Sequence, residues 1–276
     1  MNTPTLFSET EKSPKYSFYF SFEKNFDAKL HQRWVNDHWH QAFYIIALYL
    51  ITIFGIRAYM QTRHPFCLQK PLIVWNVFLA AFSIIGTSRV FPELVHALKK
   101  HGFIYSVCNP DYVEIVRVSG FWSVMFSYSK ALELGDTIFI VLRKKPFIFL
   151  HWYHHITTLL FTWYCHKDHT GPGRWYINMN YFVHSLMYSY YALKAMRFRV
   201  PRFLSICITF VQTIQMLLGF YIGYFAYITK RKEGNCRYPD DTALFGHFMF
   251  TSYFLLFIWY FYKAYISPPV KTKKED

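Results

Sequence analysis

Apolar runs of bilayer-spanning length alternate with short basic connections along most of this chain. Stretches free of Asp, Glu, Lys and Arg cover 38–56, 71–88, 146–166, 175–193, 203–229 and 242–262. A further stretch, 118–142, is apolar except for Lys130, Glu133 and Asp136. About twenty apolar residues carry an α-helix across a hydrocarbon core. The pattern therefore predicts an all-α integral membrane protein with seven transmembrane helices, near 41–60, 72–91, 118–142, 147–165, 175–194, 203–229 and 243–264. Pro71, Pro146 and Pro201 mark three helix starts, and Gly171-Pro172-Gly173 makes the 165–174 connection a turn. The expected organisation is a lead-in over 1–37, a helical domain over 38–265 and a short tail over 266–276. The lead-in lacks an apolar leader core, so the first span is expected to serve as signal anchor.

Composition supports the membrane reading: 53% of the 276 residues are hydrophobic and 22% aromatic. The mean hydropathy of +0.10 is low for so many spans. The 23 tyrosines account for part of this, since they score as polar while their rings suit membrane interfaces. The net charge of +14 does not indicate nucleic acid, because the basic residues sit between apolar runs. They belong at a membrane surface, facing headgroups or a polyanionic ligand. The five cysteines form no Cys-x-x-Cys pair, so no zinc ribbon or redox dithiol is indicated. Cys108 and Cys236 fall in loops on one face of the predicted topology. A disulfide between them is expected if that face is lumenal, with Cys165 as a competitor.

The spans are not uniformly apolar. His151, His154 and His155 lie within five residues, and at about 100° per residue they share one helix face. Lys130, Glu133, Asp136 and Thr137 share a face of the third span; Asn180 and His184 lie in the fifth, and Gln212 and Gln215 in the sixth. Counting back to the loops that carry Arg143-Lys144-Lys145 and Lys194–Arg202 puts Asp136, His154, Gln212 and His184 at about 10, 12, 13 and 15 Å from that basic face. Four helices thus aim acid, base and amide groups at one layer. Ionisable groups inside a membrane are costly and mark function. Taken singly, each has a bland role: Gln-x-x-Gln as interhelical glue, Glu133 or Asp136 as counter-charge to Lys130. Two chemistries fit the joint pattern, a histidine nucleophile activated by neighbouring groups or an iron or zinc site.

Lys130-x-x-Glu133-x-x-Asp136-Thr137, His151-x-x-His154-His155, His184-x-x-Met187-Tyr188 and Gln212-x-x-Gln215 together resemble the signature set of the very-long-chain fatty acid elongases. Trp-Tyr inside the histidine box is similar to the branch acting on saturated and monounsaturated C16-type chains. The resemblance implies condensation of acyl-CoA with malonyl-CoA to 3-oxoacyl-CoA, CoA and carbon dioxide, with no bound cofactor and no metal. It implies a seven-helix bundle, six of whose helices enclose an acyl tunnel. His154 is expected as nucleophile, forming an acyl-imidazole, with His151 and His155 assisting. Asp136 and Glu133 are expected to orient the histidines, and Asn180 and His184 to stabilise developing oxyanions. Lys130, Arg143, Lys145, Tyr190, Thr209, Gln212, Gln215 and Lys263 are expected to contact CoA or the thioester. Partners implied are the lipid bilayer and the other enzymes of the elongation cycle; the sequence leaves oligomeric state open.

Lys273 and Lys274, third and fourth from the end, resemble a dilysine retrieval signal. On that reading the protein resides in the endoplasmic reticulum membrane, with the C-terminus cytosolic and the N-terminus lumenal. Two rival functions remain: a membrane di-iron desaturase or hydroxylase, which needs several histidine boxes where this chain has one, and a seven-helix transporter.

Overall fold

The computed structural model describes residues 13–267. Lys273 and Lys274, and with them the retrieval-like tail, lie outside the described residues. The described chain is helical throughout. A lead-in of α1 (Ser21–Lys24) and α2 (Ala28–His38) precedes α3 (Gln41–Met60) and α4 (Gln69–Cys108). Then come the short α5 (Asp111–Glu114), α6 (Arg117–Glu133) and α7 (Gly135–Leu142). The bundle closes with α8 (Phe149–Asp168), α9 (Gly173–Ala195), α10 (Arg202–Glu233) and α11 (Asp240–Phe261), which runs into a π-helical turn at Tyr262–Ile266.

The protein is an all-α membrane protein. Four helical segments are long and apolar enough to cross a bilayer: Gln41–Met60, Gln69–Cys108, Arg202–Glu233 and Asp240–Ile266. They present large exposed side chains such as Leu48, Ile51, Val74, Phe210, Leu244 and Phe248, the surface expected of a lipid-facing shell. The remaining segments, α6–α7, α8 and α9, carry the ionisable residues of the polar layer. Composition alone therefore supports four of the seven predicted crossings.

Two predicted helices differ from the observed ones for identifiable reasons. The second was expected to stop near 91, but the helix runs on past it, kinks at Gly102 (φ 86°, ψ 179°) and resumes to Cys108. Its charges are buried and paired: Arg89 donates to Glu23 of α1 at 2.6 Å, and Glu93 accepts from the fully buried Arg174 of α9 at 3.0 Å. Paired charges need not end a helix in an apolar bundle. The expected single helix 118–142 is broken into α6 and α7 at Leu134. Gly135 follows the break, and a Cβ there would lie 2.7 Å from Cζ2 of Trp75 on α4. The glycine lets that indole close on the break.

The two ends of the bundle are tied differently. At one end lie the loops bearing Arg143, Lys145, Lys194 and Arg197; Gln69 joins them, donating to Ala195 O at 3.1 Å and accepting from Arg197 at 2.9 Å. At the other, Cys108 and Cys236 form a disulfide. Gly171 N–H donates to Arg237 O at 2.9 Å, and Arg237 N–H to Cys108 O at 3.1 Å. Glu114 there accepts from Arg237. Burial works against its charge, but His169 and Arg237 hold its carboxyl below the usual range.

Candidate active site

The polar layer assembles. One cavity near the basic end is lined by Asp136, His151, His154, His155, Asn180, His184, Tyr188, Thr209, Gln212 and Gln215. Helices α7 to α10 contribute these side chains, because their i, i+3 and i+4 positions turn to one axis. The ring centroids of His151 and His155 are 4.5 Å apart, and those of His154 and His155 are 5.6 Å apart.

The hydrogen bonds divide the group into a fixed set and a free one. Lys130 is buried and donates to Glu133 at 2.8 Å and to Asn180 Oδ1 at 2.9 Å. With Oδ1 occupied, the Asn180 amide turns its Nδ2 to His184 Nε2 at 3.3 Å. The other His184 nitrogen lies 3.7 Å from Glu133 Oε2. Lys130, Glu133, Asn180 and His184 are therefore one closed network bridging α6 and α9. His154 and His155 differ: no hydrogen bond from another described residue reaches their ring nitrogens, and of the two only His154 also lines the second cavity described below. Its imidazole packs 4.8 Å, centroid to centroid, from the Tyr253 ring, whose hydroxyl donates to His154 O at 3.1 Å.

The geometry places the expected site residues as follows. Asp136 orients no histidine. Its carboxylate accepts from Trp75 Nε1 at 2.6 Å and Tyr188 hydroxyl at 2.7 Å, because α7 begins after the break and turns it toward α4 and α9. The partner of His151 is instead Thr137, 3.0 Å away, which is bonded in turn to Tyr49 at 2.7 Å. Lys130 is locked into its network and does not line the cavity. Tyr190 does not line it either; one residue further round the helix, Tyr191 does. Lys263 is exposed and stacked over Trp259 at 4.9 Å. Gln212 donates to the Met187 sulfur at 3.2 Å, and Thr209 lies 3.2 Å from the Tyr265 hydroxyl. Arg143 and Lys145 line a separate cleft at the basic end together with Lys194 and Arg197. Arg143 also borders a side cleft that reaches Asp136 and His151. Trp75, Tyr253 and Tyr49 carried no signal in the sequence, where they are three among many aromatics in apolar runs.

A second cavity starts at the same point and leads away from the basic end. It is lined by His154, Thr158, Phe161, Thr162, Cys165 and His166 of α8, faced by Phe126, Tyr176, Ile177, Met249 and Phe250. The α8 positions are four, three, one, three and one residues apart, a single stripe along the helix. The cavity is therefore a bore parallel to α8. His154, Asn180, Gln215 and Met216 line both cavities. Among the described residues, no group of three or more His, Cys, Asp and Glu is placed to hold a metal ion.

The chain matches the ELO: GNS1/SUR4 family over residues 34–273. It is 48% identical over 258 residues to very long chain fatty acid elongase 6 of Drosophila melanogaster, covering 93% of this chain and 82% of that protein. It is 45% identical over 254 residues to putative fatty acid elongase 3 of Caenorhabditis elegans, covering 91% and 79%. Very long chain fatty acid elongase 6 of Homo sapiens is 43% identical over 257 residues, covering 93% and 96%.

Proposed function

The chain belongs to the ELO (GNS1/SUR4) family and is a condensing enzyme of fatty acid elongation, and from that premise we propose that His154 carries the acyl group between acyl-CoA and malonyl-CoA. The observation behind this is its position. His154 is the histidine that lines both the polar cavity and the apolar bore, and its ring nitrogens are free of other hydrogen bonds.

In the first half-reaction an imidazole nitrogen attacks the thioester carbon, the C–S bond breaks, and CoA leaves as thiol with the imidazole proton. The acyl chain then lies along the bore, while the CoA moiety occupies the polar cavity and the basic clefts. Arg143, Lys145, Lys194 and Arg197 suit its phosphates. In the second half-reaction malonyl-CoA loses carbon dioxide and its enolate attacks the acyl carbon. The C–N bond breaks, and the imidazole regains a proton taken up from solvent. Asn180 and Gln215 are placed to donate to the developing oxyanions. Lys130 and Glu133 act through Asn180 and His184 as positioning residues. Trp75 and Tyr188 hold Asp136 at the cavity wall, while Thr137 holds His151.

We further propose residence in the endoplasmic reticulum with the basic end cytosolic, as the retrieval-like tail and the CoA-facing cleft support. All seven long helical segments then cross the bilayer, the polar α6–α7, α8 and α9 with their polar groups turned to the cavities. The Trp-Tyr pair inside the histidine box favours C16-type chains. The test is incorporation of labelled malonyl-CoA by microsomes carrying the full chain, across acyl-CoAs of differing length and unsaturation. Incorporation that disappears in His154→Ala, with protein level unchanged, is expected. Absence of incorporation from every acyl-CoA would overturn the reading.

A further inference from the structure

The apolar bore does not end in apolar side chains. At its far end lie His166 and His169, 8% and 2% exposed, whose Nε2 atoms are buried without a hydrogen-bond partner. Their rings are 5.4 Å apart, close enough for one hydroxyl-sized group to touch both. Each ring is held by its other nitrogen. His166 Nδ1 is 3.3 Å from Ser127 Oγ, and that hydroxyl donates to Ser123 O at 3.2 Å. Nδ1–H therefore donates to Ser127, and Nε2 is left an acceptor. His169 Nδ1 is 3.3 Å from the Glu114 carboxylate, so Nδ1 donates there too.

The backbone is built to hold them. His169 caps α8 in the left-handed region at φ 46°, ψ 65°, which ends the helix there. Tyr112 hydroxyl donates to Thr170 O at 3.1 Å, and Gly171 is tied to the disulfide-linked segment. Buried polar atoms without partners carry a cost that a ligand removes.

Building on the elongase reading, we propose that this floor is a hydroxyl-binding stop. The Nε2 of His166 accepts from one O–H, either that of a bound water, whose second proton reaches His169 Nε2, or the single ω-hydroxyl of an acyl chain, so the enzyme accepts ω-hydroxyacyl-CoA of matching length. The length follows from α8. His154 and His166 are twelve residues apart, or about 18 Å along the axis. An extended chain of ~1.5 Å C–C bonds advances about 1.3 Å per carbon, so a chain of C14 to C16 reaches the floor. A longer alkyl terminus drives water out and leaves both nitrogens unpaired. An ω-hydroxyl on a shorter chain is stranded among Phe161, Met249 and Phe250.

The test is malonyl incorporation by the full chain in microsomes, with saturated acyl-CoAs from C10 to C18 and their ω-hydroxy counterparts. In the wild type, the ω-hydroxyl is expected to cost about tenfold at C10 and little or nothing at C14 to C16. His166→Leu is expected to raise use of C18 relative to C16 by about tenfold and to abolish tolerance of the ω-hydroxyl at C14. A changed hydroxyl tolerance with an unchanged alkyl profile assigns the hydroxyl to the substrate; both changing assigns it to water as well. An ω-hydroxyl penalty equal at every length in the wild type overturns the proposal, and this readout stands even if the variant fails to accumulate. Because plain C16 incorporation is measured alongside, failure of the elongase reading itself shows as no incorporation from any chain.

Discussion

The two ends of this bundle bury similar kinds of side chain and use them in opposite ways. Toward the disulfide-bonded end, Arg89, Glu93 and Arg174 are buried and paired, and Glu23 is gripped by Arg89, by Trp122 and by the Phe20 backbone. Toward the basic end, no hydrogen bond from another described residue reaches the His154 ring, beside a network that satisfies Lys130, Glu133 and Asn180. A satisfied buried charge holds helices together, whereas an unsatisfied imidazole that borders two cavities is available to a substrate. Burial does not separate structural from reactive groups; satisfaction and cavity access do.

The largest effect expected from breaking this division is at His154. His154→Ala should lower malonyl incorporation by at least about a thousandfold, with the melting temperature in detergent within a few degrees of wild type. Comparable loss of stability would place His154 with the structural group and undo the contrast.

Glu93→Ala is the mirror experiment. It leaves the fully buried Arg174 with only carbonyl partners, Ser106 O at 2.7 Å and Tyr105 O at 3.3 Å. Removing one partner of a buried pair typically costs about 3–5 kcal/mol. The melting temperature should fall accordingly, while incorporation per folded molecule, counted by acyl-enzyme formation with limiting radiolabelled acyl-CoA, stays near wild type. A stable variant that has lost turnover would contradict the assignment.

Trp75 lies between the two categories. Its indole packs against Gly135 and donates to Asp136, so it is structural in its contacts and adjoins the site through one carboxylate. Trp75→Phe keeps most of the packing and leaves Asp136 with Tyr188 alone. Turnover should fall about tenfold with little change in KM. An unchanged turnover would show that Tyr188 suffices.

How much of this was visible in the sequence follows the same line. Apolar runs foretold the helices, and equal depth below the basic loops brought Asp136, His154, His184 and Gln212 to one layer, because helical rise is constant. Rotation about each helix was less legible. The break at Leu134 turns Asp136 away from the histidines, and Tyr191 rather than Tyr190 faces the cavity. A period of 3.6 residues makes a one-residue error a 100° error in direction. The second helix was expected only to 91; on either side of that point Arg89 and Glu93 are paired with Glu23 and Arg174, 66 and 81 residues away along the chain. No local pattern reports such pairings. Likewise, no local pattern shows that His166 and His169 lie at the far end of the bore.

The smallest effect concerns Glu23, which fastens the lead-in to α4 and α6. Burial opposes its charge, but hydrogen bonds from Arg89, Trp122 and the Phe20 N–H outweigh it and hold the carboxyl below its ordinary range. A depressed folded pKa means that the unfolded chain binds this proton first as pH falls. The stabilisation is therefore complete above the unfolded carboxylate pKa and is lost as pH drops through the lower, folded value. Glu23→Gln removes the charge at every pH. Melting temperatures in detergent, followed from pH 7 to pH 3, should show wild type above the variant at neutral pH, with the gap closing only on the acid side. Incorporation at pH 7 should be nearly the same for both, since the lead-in lines neither cavity joined at His154. A gap that stayed constant with pH would mean that Glu23 acts by shape and not by charge. The ion-paired end of the bundle would then owe less to those pairs than their geometry implies.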